Sequence, residues 1–187
     1  MSKSKTLYDL KQVEPEGYSY FPGNHRFGLK FCLKKRNHLC DKSIAVIQMN
    51  GSSAGWSKTK RSWVSDPTIG KVLCWCGEQG YNTVHCLNLW SYVDKNPLNL
   101  IGLPNTVLNK FENDLWIKKI CDSVDVVVLA HGNCNGVNWS FFEERKREIL
   151  QLLQSIKLFH VGELNNSGNP KHGRSWNGKP KLNEFIK

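Results

Sequence analysis

The sequence predicts an α/β protein, specifically a three-layer α/β/α sandwich around a central, mainly parallel four-stranded sheet. Two observations lead to this fold class. Four short runs rich in β-branched and apolar residues each lead into a loop of small or polar residues: 43–49, 83–89, 124–130 and 157–161. Nearly continuous apolar runs are typical of strands buried on both faces of a parallel sheet. Helical patterns separate the runs, as crossover connections between parallel strands require.

Each of the three connections carries helix signals. In the first, between residues 65 and 81, Asp66 can cap the free amides, Pro67 suits the first turn and Gly80 can end the helix. The second helix is predicted over 106–121, with an apolar stripe at helical spacing. The third follows a capping-box pattern that begins at Ser140, and it continues to about residue 155.

Ahead of the first parallel strand, the sequence predicts a β-hairpin that flanks the main sheet. Its strands are residues 18–21 and 26–33, joined by a turn at 22–24. Residues 1–17 are predicted to form a polar, loosely structured N-terminal segment. Residues 18–187 then form one α/β domain, since a chain of this size can bury about 70% of its unfolded surface in a single core.

The overall charge indicates a polyanionic partner. The chain has 26 Lys and Arg against 16 Asp and Glu, a formal charge of +10. Such an excess favours nucleic acid, specifically DNA, although a Lys-rich surface that only promotes solubility is the alternative. Seven cysteines without a signal peptide fit a reducing cytoplasm, and no apolar stretch approaches the roughly 20 residues of a membrane helix. We expect a cytoplasmic monomer.

No cofactor or metal is expected. Cys74 and Cys76 are separated by one residue, whereas structural zinc sites pair cysteines at wider spacing and need a second pair. The chain also lacks the Gly-x-Gly-x-x-Gly loop that binds dinucleotide phosphates.

The loops after the four parallel strands are expected to form one site. Ligands of open α/β sheets bind at the carboxyl ends of the strands. By this rule we expect four parts of the chain to lie close together: Asn50, Asn88, His131 and the segment 165–174.

Five motifs in order carry a resemblance to a known family: 47–54 (Ile-Gln-Met-Asn-Gly-Ser-Ser-Ala), 65–69 (Ser-Asp-Pro-Thr-Ile), 87–89, 129–132 and 168–172. Together they resemble a bacterial and phage family catalogued as a domain of unknown function, whose first motif usually reads Leu-Asn-Pro-Ser and is followed by Asp-Pro-Thr. The resemblance covers the chain from about residue 26 to the C-terminus. That family is in turn similar, more distantly, to the uracil-DNA glycosylase superfamily, which implies the same fold.

The second resemblance implies an activity and residue roles. Asn50 would position the attacking water, Asn88 would read the edge of a flipped base, and Asn169 and His172 would face the sugar and base. The implied enzyme is a monofunctional DNA N-glycosylase of anti-phage defence. It would excise a modified base of phage DNA, such as glucosylated hydroxymethylcytosine, and leave an abasic site.

Two departures from these families bear on that expectation. Gly51 stands where the first family usually has Pro, and we expect it to loosen the first loop. The last loop lacks the His-Pro-Ser motif of the uracil-specific branch, so uracil is not the expected substrate. Small residues in the first loop leave room for a larger base.

The chemistry of N-glycoside cleavage assigns further candidates. It needs a placed water, negative charge near the sugar and donors to the leaving base. The Asn50 amide oxygen can hold water but cannot act as a base, which makes Asp66 the candidate base, with helix capping as its alternative role. His131 and His172 can donate to the base when protonated, although a structural role is the alternative for His131.

Aromatic and basic residues complete the predicted site. Trp56, Trp63 and Trp90 are candidates to stack on an extruded base, and the alternative is that they are core residues. Six basic residues are candidates to contact phosphates: Lys58, Lys60, Arg61, Lys171, Arg174 and Lys179. Two other functions stay open, namely a hydrolase or transferase of free nucleotides and a non-catalytic nucleic-acid-binding module.

Overall fold

A computed structural model describes residues 13–14, 19–20, 24–33, 41–51, 54–57, 62–64, 66–94, 96–134 and 138–186. The strands within these ranges are β1 (Val13–Glu14), β2 (Ser19–Tyr20), β3 (Gly28–Leu33), β4 (Lys42–Gly51), β5 (Gly55–Ser57), β6 (Ser62–Val64), β7 (Tyr81–Val93), β8 (Val126–Leu129), β9 (Leu158–Val161) and β10 (Leu182–Glu184). The α-helices are α1 (Pro67–Glu78), α2 (Asn105–Leu108), α3 (Phe111–Cys121) and α4 (Trp139–Leu152), and short 3-10 turns span Pro97–Leu100 and Gly173–Ser175.

The main sheet is mixed and wider than the sequence predicted. Its order is β1-β3-β7-β4-β8-β9-β10, and β2 also pairs with β3, which makes eight strands among the described residues. The four predicted strands, β7, β4, β8 and β9, lie side by side and run parallel. Antiparallel β3 and β10 extend this group on its two sides. The mixed α/β class is therefore confirmed, but the sheet is not limited to four strands.

The N-terminal part of the sheet agrees with the predicted hairpin in one respect and differs in another. β2 pairs antiparallel with β3, as the hairpin requires. Val13 and Glu14, which were assigned to the loose segment 1–17, pair with Leu33 and Cys32 of β3. The first twelve residues of that segment lie outside the described part of the chain.

Helices cover both faces of the sheet. On β4, Ile44 and Val46 pack in a core with α1, whereas Ala45 and Ile47 alternate onto the opposite face, in a core with α3 and α4. Alternate residues of one strand thus enter two separate cores, as expected for a central strand covered by helices on both sides.

The first predicted helix is correct and the second is not one helix. Asp66 caps α1, since its Oδ1 accepts from Ile69 N at 2.9 Å. The stretch predicted as a helix over 106–121 divides into α2 and α3, because Asn109 and Lys110 are extended and Lys110 N donates to Ser91 Oγ at 3.1 Å. Asn138, not Ser140, caps α4. None of the described helices combines the length and apolar character that a bilayer-crossing segment requires.

Candidate active site

A cavity of about 540 Å³, open to solvent and lined mostly by polar residues, lies where β4 and β8 run into their loops, at the carboxyl ends of the parallel strands. Its lining comes from the ends of three parallel strands, the start of α1 and the loop after β9: Gln48, Met49, Asn50, Asp66, Thr68, Asp94, His131, Gly132, Asn133, Cys134, His172, Arg174 and Ser175. Five predicted site residues therefore meet here, namely Asn50, Asp66, His131, His172 and Arg174.

Asn50 lines this cavity at the end of β4 with its amide orientation fixed by the main chain. Its Nδ2 donates to Gly51 O at 3.2 Å and, more weakly, to Asp94 O at 3.4 Å. An amide whose nitrogen faces carbonyl groups presents its oxygen as the remaining acceptor. In this orientation Oδ1 can accept a hydrogen bond from a water molecule.

The described residues of the first loop, Gly51 and Ala54, are closely packed against Arg26, in contrast to the expectation that Gly51 loosens the loop. Arg26 is only 3% exposed, and its Nη1 donates to Ala54 O at 2.6 Å. A Cβ at Gly51 would lie 2.9 Å from Arg26 Nη2 and 3.1 Å from Val93 Cγ2. Burial lowers the pKa of Arg26 to about 10, so the guanidinium stays charged at neutral pH. Arg26 was not predicted as a site residue, because it is the first residue of the predicted hairpin strand 26–33 and carries no motif of its own.

Two carboxylates reach the cavity. Asp66 caps α1 and lines the cavity at once, so its two proposed roles do not exclude each other. Asp94 was not predicted as a site residue. The strand was predicted to end at residue 89, but β7 continues four residues further, and Asp94 follows its last residue. Its Oδ1 accepts from Asn96 N at 2.8 Å, and Asn99 Nδ2 donates to both carboxylate oxygens. The apolar residues Tyr92 and Val93 were the available signal for the longer strand.

Burial lowers the pKa of both histidines and so favours their neutral forms at neutral pH, whereas the sequence analysis expected them to donate when protonated. His131 is 3% exposed, and burial lowers its pKa to about 4. Its Nδ1 lies 2.8 Å from Gly132 O, and since a carbonyl only accepts, this nitrogen carries the proton. Burial also lowers the pKa of His172, with the negative charge of Asp66 acting in the opposite direction.

The tautomer of neutral His172 follows from its contact with the main chain. Its Nδ1 accepts from Arg174 N at 3.3 Å. The proton of the neutral ring is then on Nε2. His172 can therefore donate one hydrogen bond without first being protonated.

The loops after β8 and β9 are joined directly. Gly132 has φ +71°, donates from its N to Pro170 O at 3.1 Å, and approaches His172 so closely that an added Cβ would lie 2.9 Å from the His172 Cβ. Asn169 is buried, and its Nδ2 donates to Asn133 Oδ1 at 3.1 Å. Asn169 thus holds the two loops together and is not among the residues that line the cavity.

Asn88 and Trp90 also lie away from the cavity surface. Asn88 is 3% exposed, and with its amide nitrogen turned toward Leu87 O and Asn50 O it donates to each at 3.2 Å. This contact stabilises the end of β4, so the Asn88 amide has a structural role at the strand end. Trp90 is fully buried and packs against Phe142, so its ring cannot stack on an extruded base.

The remaining predicted binding residues are only partly described. Arg174 lines the cavity and is exposed, Lys171 is half-buried, and Lys179 lines a separate depression of about 150 Å³ beside Trp176. Lys58, Lys60 and Arg61 lie outside the described residues. Trp56 and Trp63 are register partners in the β5–β6 hairpin, and their side chains are likewise outside the description. Across the described ranges, no three or more His, Cys, Asp or Glu side chains form a group that could hold a metal ion.

Comparison with known proteins gives a family match. The profile of a family described as "Protein of unknown function (DUF1643)" matches residues 30–173. This span includes β4, α1 and every cavity-lining residue except Arg174 and Ser175. No curated protein and no solved structure matches the chain.

Proposed function

The chain belongs to the DUF1643 family, and we propose that it is a DNA glycosylase that hydrolyses the N-glycosidic bond of a modified base, leaves an abasic site and acts in defence against phage. The observation that carries this proposal is the convergence of an oriented amide, two carboxylates and a neutral imidazole donor in one polar cavity. The resemblance of the motifs to the uracil-DNA glycosylase superfamily supports the same activity.

In the proposed reaction, Asn50 and Asp66 act on the water. The Asn50 oxygen accepts a hydrogen bond from the water, whose oxygen forms a bond to C1′ of the deoxyribose. The bond between C1′ and the base nitrogen breaks, and its electron pair leaves with the base. The proton lost by the water passes to the Asp66 carboxylate, which acts as general base.

Asp94 and His172 act on the two fragments as they separate. The carboxylates of Asp66 and Asp94 stabilise the positive charge that develops on the sugar. Neutral His172 donates from Nε2 to the leaving base, whose negative charge is finally neutralised by a proton from solvent. A neutral imidazole suits this role because it donates at physiological pH despite the lowered pKa of His172.

The cavity and the charge favour a large base in DNA over a free nucleotide. A cavity of about 540 Å³ is within the usual range for small-molecule sites, about 300–1,000 Å³, and has room for a base that carries a substituent. The formal charge of +10 and the exposed Arg174 at the cavity favour a polyanion as substrate.

The proposal predicts that Asn50→Ala loses base release while DNA binding and folding persist. Abasic sites are measured with an aldehyde-reactive probe on DNA containing cytosine, 5-hydroxymethylcytosine or its glucosylated form. Loss of the placed water is expected to lower the rate by on the order of 100-fold or more.

Asn183→Ala is the matched control for this experiment. The Asn183 amide also donates to a main-chain carbonyl, Gly162 O at 2.9 Å, but the residue lies on β10 and does not line the cavity. Its removal is expected to leave the rate unchanged. Full activity of Asn50→Ala would contradict the mechanism, and hydrolysis of mononucleotides without action on DNA would favour the nucleotide-hydrolase alternative.

A further inference from the structure

Gln48 combines deep burial with an unpaired amide at the surface of the cavity. The residue is 6% exposed and lines the cavity from β4, two residues before Asn50. Its Nε2 is enclosed and has no hydrogen-bond partner among the described residues. Buried polar groups are nearly always paired, so an unpaired amide in the wall of a cavity is available to a ligand. Because Nε2 is enclosed, the Gln48 side chain must rotate to bring this nitrogen to the cavity surface.

The surrounding polar groups differ from Gln48 in this respect. Asp66 accepts from the main chain of α1, and His131 and His172 each bond a main-chain group. These residues keep hydrogen-bond partners within the protein, whereas the Nε2 of Gln48 has none in the described structure.

The register of the sheet relates Gln48 to the residue that was expected to read the base. Gln48 and Asn88 are direct partners across β4 and β7, so their side chains share one face of the sheet. The Asn88 amide is used by the main chain and lies outside the cavity lining. Gln48, the partner of Asn88 on β4, is the residue of this pair that lines the cavity.

We propose that Gln48 determines which base is accepted, by pairing its side-chain amide with the hydrogen-bonding edge of the flipped base. The inference rests on the proposed function. An amide offers a donor beside an acceptor, which matches an edge with an adjacent acceptor and donor, such as N3 and the amino group of a cytosine. A substituent at the 5-position of a cytosine leaves these two groups available.

The first test replaces Gln48 with Met, which has similar length and no strong hydrogen-bonding group. On the best DNA substrate, kcat/KM is expected to fall by about 10- to 100-fold, because the base edge loses its partner. The melting temperature of the ligand-free protein is expected to stay the same or rise, because an unpaired buried amide is removed. Gln48→Leu is a second variant with the same expected outcome, in case Met packs poorly.

His85→Leu is the control for removal of an unpaired polar group. The Nδ1 of His85 is also enclosed without a partner in the described structure, but His85 does not line the cavity. This variant is expected to retain full kcat/KM. If His85→Leu lowered kcat/KM as much as Gln48→Met does, the loss would be due to a general disturbance of the sheet, and the inference would be overturned.

A binding measurement separates this inference from the proposed catalysis. Free cytosine and 5-hydroxymethylcytosine at millimolar concentration are expected to raise the melting temperature of the wild type and not that of Gln48→Met. If no base is released from any DNA but this difference is found, the proposed glycosylase activity is wrong and base recognition by Gln48 stands. An equal rise in both proteins, no rise in the wild type, or unchanged kcat/KM in Gln48→Met would overturn it.

Discussion

Burial determines the protonation state of single residues in the cavity. His131 is enclosed between the loop after β8 and Phe142. The two rings meet edge-on, with their centroids 5.6 Å apart. In such surroundings the charged imidazolium is disfavoured, and the pKa of His131 falls to about 4. The residue therefore contributes a fixed, neutral hydrogen-bonding group to the cavity wall.

This pKa predicts how stability depends on pH. An unfolded chain binds a proton at His131 near its ordinary pKa of 6.5, whereas the folded protein binds it only near pH 4. The unfolded state therefore holds more protons between these values, and the free energy of unfolding is highest above about pH 6.5 and decreases as pH falls toward about 4. The contribution of this one group is about 3 kcal/mol.

His131→Asn tests this prediction, since Asn keeps an N–H donor for Gly132 O but does not titrate. Urea denaturation from about pH 4.5 to 7.5 is expected to give a smaller decrease of the free energy of unfolding in the variant than in the wild type. The other histidines contribute to both proteins, so the difference between the curves isolates His131. Parallel curves would show that this residue is not the source of the acid sensitivity.

At the scale of elements, Arg145 joins two helices to the sheet. It is 2% exposed on α4, its Nε donates to Leu89 O of β7 at 2.8 Å, and its guanidinium pairs with Asp114 of α3 and with Glu148. An arginine suits this position because its planar fork can serve a carboxylate and a carbonyl together.

Arg145→Met is expected to lower the free energy of unfolding by about 3 kcal/mol, because it removes one partner of a buried ion pair. The partly exposed Asp114 can regain water, which places the effect at the lower end of the usual range. Arg147→Met, on the exposed face of the same helix, is the control and is expected to change stability by less than about 0.5 kcal/mol. Chemical denaturation measures both, and equal small effects would show that the pair contributes little.

The helices also illustrate what helical spacing could and could not predict. Arg145 falls three residues after Phe142 and four before Ile149, both buried, so helical spacing is consistent with its place on the core face of α4, although no prediction was made for it. The apolar stripe predicted over 106–121 is correct only in part. Its members Ile117 and Ile120 are buried, whereas Phe111 and Leu115 are 73% and 54% exposed. Asn113 is fully buried instead, and its amide donates to Asn88 O and Leu89 O. Hydrophobicity alone does not reveal a polar side chain that bonds strand carbonyls.

At the scale of the whole molecule, the parallel strands, their shared site and the flanking hairpin were predictable, and the outermost strands β1 and β10 were not. A strand buried on both faces is an apolar run, which made β4, β7, β8 and β9 visible in the sequence. β2 and β3 were predicted as a hairpin, whereas β1 and β10 have only two or three residues each, too few for a pattern. Gln48 was overlooked because it lies inside the apolar run of β4, where its burial depends on tertiary contacts.

The charge of the whole molecule leads to a prediction about DNA binding. The formal charge of +10 and the exposed Arg174 at the cavity are expected to draw the phosphate backbone to this face. If several phosphates are neutralised, raising salt from about 50 to 200 mM weakens binding by about tenfold or more, as bound counterions are released. Fluorescence anisotropy with a labelled duplex measures the slope of log K against log salt.

Replacing Arg174 with Ala identifies the face that makes the contact. Loss of one phosphate contact is expected to reduce the slope by about 1 and to weaken binding to every sequence alike. Arg147→Ala removes the same charge from the exposed face of α4 and does not touch the cavity, so its slope should match that of the wild type. Because both variants have the same net charge, a difference between them depends on position. Equal slopes for the two variants would mean that DNA does not approach through the cavity mouth, and salt-independent binding of the wild type would contradict the DNA proposal itself.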